Sequence, residues 1–228
     1  MKKNLKRIRR LVAAIALFFF LVGVAGTDAY AIDKKVRLEK GNTAVDIVLP
    51  EYGTCFMGGK TVYSDGTGRL RNAAEVSRLM ANSGYDLWVS ANDGEMSVSV
   101  ENFDTKGADL YNMPDEAIKK FFGDLEGQIR NSMKKEGVKV SEITTDIVKY
   151  NKSKYLRVKT VAEPPYAEIY QFCTLKQNKM ITLKLVCYNN VGDINSYKLN
   201  PNEIVGKMTI EKVPEKAPEK AGNRPGVR

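Results

Sequence analysis

Apolar and polar positions alternate most clearly in DLWVSANDGEMSVSV, residues 86–100. Strict alternation on both sides of an Asp-Gly pair predicts a β-hairpin, because the two central positions of a tight hairpin turn require positive φ. A turn at Asp93-Gly94 sets Ala91 against Met96, Val89 against Val98 and Leu87 against Val100. All six are apolar, so turn and pattern agree on a core face. The opposite face carries Trp88, Ser90, Ser97 and Ser99, and is either wet or covered by something that meets Trp88.

A period near 3.6 replaces the alternation on either side. NAAEVSRLMANSG, residues 72–84, predicts a short helix with Asn72 as cap, Val76, Leu79 and Met80 on one face, and Gly84 as the stop. PDEAIKKFFGDLEGQIRNSMKKEG, residues 114–137, predicts one long helix. Pro114 suits its first position, and Asp115 and Glu116 favour the positive end of its dipole. Ile118, Phe122, Leu125, Ile129 and Met133 form the buried stripe. Gly123 and Gly127 inside it each weaken it by about 1 kcal/mol relative to alanine.

The second half predicts a strand meander over 138–149, 155–162, 166–175 and 180–189, with turns at NKSK, EPP and KQNK. The apolar parity shifts between Val140 and Ile143, the signature of a bulge. Asn200-Pro201 opens a last helix running to about Ile210, with Ile204, Val205 and Met208 inward. Strands near 44–50 and 60–63 precede the hairpin. The fold class expected is α+β, an antiparallel sheet with helices packed on its faces.

An early strand ending in DIVLPEYG, a hairpin, a central helix, a four-strand meander and a terminal helix resemble the PsbP-like fold. The resemblance covers most of 44–210 and lies in element order. It implies an accessory or binding module more often than an enzyme, and it assigns no site residue.

The two ends of the chain read differently. Six Lys and Arg lie within the first ten residues, an apolar or glycine run follows from Leu11 to Gly26, and Ala29 and Ala31 form an A-x-A cleavage pattern. Sixteen helical residues at ~1.5 Å each reach about 24 Å, short of a ~30 Å hydrocarbon core. Residues 1–31 therefore read as an export signal removed at Ala29 and Ala31, with an uncleaved N-terminal anchor as the alternative. The protein is expected outside the cytoplasm, secreted or at the outer face of the membrane. Residues 212–228 repeat Pro-Glu-Lys-Ala with almost no apolar content and read as a disordered tail. A single domain spans 32–211.

Charge sharpens that division. The formal +9 is concentrated in the ends, +5 in residues 1–31 and +3 in 212–228, which leaves +1 on the body. A near-neutral body lacks the footprint that phosphate backbones require, so nucleic acid is not an expected partner. The chain has no histidine, which removes Ser-His-Asp and Cys-His chemistry and every His-ligated metal site.

The remaining chemistry is sparse. Placing Leu175 opposite Lys179 puts Cys173 and Cys187 on one apolar sheet face, too far apart to bond. Cys55 in YGTCFMGG has only loop amides to activate it. The loop with Gly66, Gly68 and Arg69 resembles an anion-cradling turn but completes no P-loop. Asp104, Asp109, Asp115 and Glu116 lie close in sequence without EF-hand spacing. Tyr150, Tyr155, Tyr166, Tyr170, Tyr188 and Tyr197 lie in or beside the meander and would form a binding surface if they shared an exposed face. No cofactor, metal or catalytic residue is expected. The leading reading is an exported, non-enzymatic envelope protein that binds another envelope protein or a small ligand. Its alternative is an atypical enzyme using carboxylates or Cys55 without histidine.

Overall fold

The computed structural model describes residues 34–49, 53–58, 60–64, 73–91, 94–104, 106–163, 167–188 and 200–214. The cleavage pattern at Ala29 and Ala31 lies outside them, as do the loop of Gly66, Gly68 and Arg69, the EPP turn, Tyr166, Tyr197 and the tail from 215.

Two antiparallel sheets face each other. The smaller has the order β1-β2-β11, from strands β1 (Lys34–Lys40), β2 (Thr43–Leu49) and β11 (Thr209–Lys212). The larger has eight strands in the order β4-β3-β5-β6-β10-β9-β8-β7. They are β3 (Thr54–Met57), β4 (Lys60–Ser64), β5 (Leu87–Ser90), β6 (Gly94–Asn102), β7 (Lys139–Tyr150), β8 (Ser153–Glu163), β9 (Ala167–Lys176) and β10 (Lys179–Tyr188). One face of the larger sheet packs on the smaller sheet and on helix α4 (Pro201–Lys207), burying Val45, Ile47, Met96, Val98, Phe172, Leu183 and Val205 between them. The other face carries helix α1 (Ala73–Ser83) over Phe56 and Trp88, and helices α2 (Asp115–Phe122) and α3 (Leu125–Lys135) over the β7–β10 side. This is the α+β architecture expected, with helices on both faces of the larger sheet, α1, α2 and α3 on one and α4 on the other, where a second sheet joins it.

The hairpin sits where the alternation puts it, and its six apolar residues all enter the core between the sheets. The ladder closes at Ala91 and Gly94, with the Ala91 N–H donating to the Gly94 carbonyl at 2.9 Å. Val89 therefore faces Met96 and Leu87 faces Val98, two positions from the pairs an Asp93-Gly94 turn would set. An even shift leaves every side chain on its face.

The β9–β10 hairpin shifts by one, and there the faces change. Gln177 and Asn178 take φ of 54° and 57°, making a two-residue turn that pairs Lys176 with Lys179 and Leu175 with Met180. Cys173 thus enters the core under α2 and α3, while Cys187 enters the core between the sheets. The expectation of one shared face is overturned. The bulge near the start of β7 is present, between Val140 and Glu142.

The long helix is two helices. Gly123 at φ 65°, ψ −150° ends α2, and the Asp124 side chain caps α3 by accepting from the Gly127 N–H at 2.9 Å. Pro114 is the residue before α2 rather than its first. The last helix stops at Lys207, and the residues expected to continue it form β11, which pairs Ile210 with Val45. Ordered structure therefore passes residue 211, the expected end of the domain. Lys212 pairs with Thr43, and the Val213 N–H donates to the Asn42 carbonyl at 2.9 Å.

Candidate functional site

The free edge of the smaller sheet borders a cleft of about 320 Å³. β1 reads KKVRLEK, with Val36 and Leu38 buried and Lys35, Arg37 and Glu39 exposed between them. Among the described residues it pairs with β2 alone, and Arg37, Leu38, Glu39 and Lys40 line the cleft. Met57 and Gly58, Tyr85 and Asp86 with Val100 complete the lining.

Asp86 organises this site. Its Oδ2 accepts from the Val100 N–H at 2.7 Å, and both oxygens accept from Lys40 Nζ at 3.0 and 3.2 Å. The Asp86 N–H donates to the Val98 carbonyl, so the carboxylate is fixed to β6 before it reaches across to β1. Lys40 and Asp86 remain partly exposed, so the pair contributes on the order of 0–1 kcal/mol to stability and mainly sets geometry. Arg37 is held over the outer face by Asp46 at 2.8 Å and Glu39 at 3.2 Å. The cleft thus offers an apolar floor of Leu38, Met57 and Val100 and fixed charges of both signs.

A second polar network pins α4 to the larger sheet. Arg157 donates to both oxygens of Asp146 and to Asn202 Oδ1 at 3.2 Å, and Tyr150 OH donates to the same Asn202 oxygen at 2.9 Å. Beside it, Glu168 is buried and accepts from Tyr170 OH at 2.6 Å, with Lys159 Nζ at 3.3 Å. A third group lies on the helix-covered face, where Glu95, Ser97, Gln171 and Lys184 are all buried. Burial pushes the Lys184 ammonium down to about 8, and the charge of Glu95 opposes that shift.

The residues singled out from sequence are mostly interior. Cys55, Cys173 and Cys187 are free thiols, all buried. Burial pushes the Cys55 thiol up to about 12, so at neutral pH it is protonated and lacks the thiolate that nucleophilic use requires. Burial raises Cys173 to about 11, against hydrogen bonds from Gln171 and Thr182 that lower it. The four acids do separate jobs. Asp104 accepts from the Lys106 N–H, Asp109 accepts from the Tyr111 N–H, Asp115 pairs with the buried Lys154, and Glu116 pairs with Lys119 one turn along α2. Among the described residues no three or more His, Cys, Asp or Glu side chains are grouped to hold a metal ion.

Tyr155, Tyr170 and Tyr188 are buried and Tyr150 is partly so, which leaves no exposed aromatic row among the described tyrosines of the meander. Trp88 is fully buried and stacks on Phe56 with ring centroids 5.4 Å apart. The cleft residues Arg37, Glu39, Lys40 and Asp86 escaped the sequence reading, although the alternation in KVRLE marks a strand with one wet face. Among the described residues no helix is long and apolar enough to cross a membrane.

Fold and cleft together define an antiparallel α+β sandwich with an open cleft at one sheet edge. No family model matches the chain, and no curated protein matches it. Among solved structures it is similar to cyanobacterial PsbP (CyanoP) from Synechocystis sp. PCC 6803, determined in solution. The two are 10% identical with a TM-score of 0.40, over 74% of this chain and 87% of that one. The likeness is one of fold, in line with the PsbP-like element order, and no activity or partner is carried over from it.

Proposed function

We propose that this chain is an exported, non-enzymatic binding or accessory module of the cell envelope, and that it takes its partner at the cleft beside β1. The observation that carries the reading is the cleft itself. It joins a sheet edge unpaired among the described residues, an apolar floor and a fixed Lys40–Asp86 pair, the elements of a recognition site. The buried, protonated Cys55 supports binding over the thiol chemistry of the alternative. Export is supported by the basic start, the short apolar run and the A-x-A pattern at Ala29 and Ala31.

Two measurements test this. Mass spectrometry of the protein from its native envelope should give Ile32 as the first residue, and recovery of the intact apolar segment would favour an uncleaved anchor. Capture of envelope proteins on the immobilised mature chain should be lost in Met57→Lys and in Lys40→Glu, each checked for native circular dichroism. Capture that survives both substitutions would remove the cleft from the account.

A further inference from the structure

We propose that β1 is a latch on processing. Once it docks on β2, the Ala31–Ile32 bond is out of reach of a leader peptidase, so removal of residues 1–31 has to precede closure of the smaller sheet. This rests on the reading of those residues as an export signal cut after Ala31. Hydrolysis there adds one water across the amide, leaving the Ala31 carboxylate on the leader and the Ile32 ammonium on the body.

The order follows from where β1 begins. Only Ile32 and Asp33 separate the bond from Lys34, the first residue of β1. Two extended residues reach about 7 Å. The ladder to β2 starts at once, with Lys34 opposite Leu49, and continues to Lys40 opposite Thr43. Val36 is buried in the core between the sheets, so fraying up to it frees Ile32 to Lys35 alone, about 14 Å of chain. A folded body of some 180 residues has a radius of gyration of about 16 Å. A peptidase grips an extended segment on both sides of the bond it cuts. The docked body stands closer to that bond than its own radius, and blocks the grip.

β1 is also the strand that can close last. Among the described residues it pairs with β2 alone, so undocking it leaves β2 paired with β11 and the larger sheet whole. Undocking frees residues 32–40, about 30 Å when extended, which is enough for a peptidase to hold. Burial of Val36 and Leu38 and the pairs Arg37–Asp46 and Lys40–Asp86 then close the strand. Arg37, Leu38, Glu39 and Lys40 belong to the cleft, so the step that shields the bond also completes the recognition site. A chain whose β1 docks first keeps its leader and stays at the membrane. A race between docking and hydrolysis thus divides the cleaved form from the anchored one.

The test uses the full-length chain refolded in detergent micelles and given purified leader peptidase, with cleavage followed by mass spectrometry. Protection of amides 35–40 from hydrogen exchange establishes beforehand that β1 is docked. Two variants run beside it. One carries a Gly/Ser spacer of about ten residues between Asp33 and Lys34, which moves the bond roughly 17 Å away and leaves β1 untouched. The other, Leu38→Asp, undocks β1. Wild type should be cut about tenfold or more slowly than the spacer variant, because its cleavage waits on local opening of β1. Leu38→Asp should restore fast cleavage, and the spacer decides the matter even if that substitution unfolds the body. Equal rates for wild type and the spacer variant overturn the latch while leaving the export signal in place. If no variant is cut after Ala31, the export signal falls and the latch with it.

Discussion

Two buried residues show how environment sets chemistry one side chain at a time. Cys55 and Cys173 are both buried thiols with raised pKa, yet their surroundings differ. Burial alone accounts for the rise at Cys55, whereas Cys173 has Gln171 Nε2 at 3.4 Å and Thr182 Oγ1 at 3.9 Å. A serine at 173 inherits those partners, and one at 55 buries its hydroxyl against an apolar wall. Cys55→Ser should therefore destabilise by about 1–3 kcal/mol and by more than Cys173→Ser, read from urea midpoints. Equal losses would mean that the polar neighbours of Cys173 do not reach a serine hydroxyl. Lys184 gives a pH test. Its folded value of about 8 lies below the ordinary 10.5, so between those values the unfolded chain holds more protons. Wild type should gain stability over Lys184→Met as pH rises from about 8 to 10.5, by up to roughly 3 kcal/mol, and the difference should be flat below pH 8. The raised thiols act in the opposite direction above pH 9, and the comparison with Lys184→Met cancels them. A difference that stays constant from pH 7 to 10 would contradict a desolvated lysine.

Strands and helices were legible where pattern alone decides them, and less so where a turn does. The alternation of β5 and β6 fixed their faces even though the turn was misplaced, because a two-residue shift preserves parity. At β9–β10 the shift was one, set by Gln177 and Asn178 in a left-handed turn without glycine, and nothing in KQNK announces that. The stripe from Ile118 to Met133 looked continuous because α2 and α3 bury the same face, so periodicity did not expose the break at Gly123. β1 was hidden by its charge, since KKVRLEK reads as a solvated segment until Val36 and Leu38 are seen to alternate. The break yields a prediction opposite in sign to one from an unbroken helix. Gly123→Ala places a side chain at φ 65°, ψ −150°, and should cost about 1–3 kcal/mol instead of gaining the ~1 kcal/mol of a mid-helix alanine. Thermal or urea unfolding measures the sign directly. β11 yields another. Truncation after Pro214 should leave the melting temperature nearly unchanged. Truncation after Met208 removes Ile210 and the pairing to β2, and should lower stability by at least the ~1.5–3 kcal/mol of a buried isoleucine. Equal melting temperatures for the two truncations would mean that β11 adds nothing.

Across the described residues, the two sheets and their helical cover bury the three thiols and most tyrosines of the meander, and a cleft beside β1 carries fixed charges and an apolar floor. The lack of histidine and the near-neutral body could be read from composition. The cleft could not, because Asp86 and Lys40 are 46 residues apart in sequence and meet only through the stacking of one sheet on the other. The central proposal is that the chain is exported and engages a partner there. A photoreactive benzoylphenylalanine at Met57, in the full chain expressed in its native envelope, tests it most directly, with Glu126 on the exposed side of α3 as the control position. The account predicts an adduct at 57, formed outside the cytoplasm, containing a peptide from one partner and absent at 126. Adducts of equal yield at both positions, or none at 57 from correctly exported chain, would contradict it.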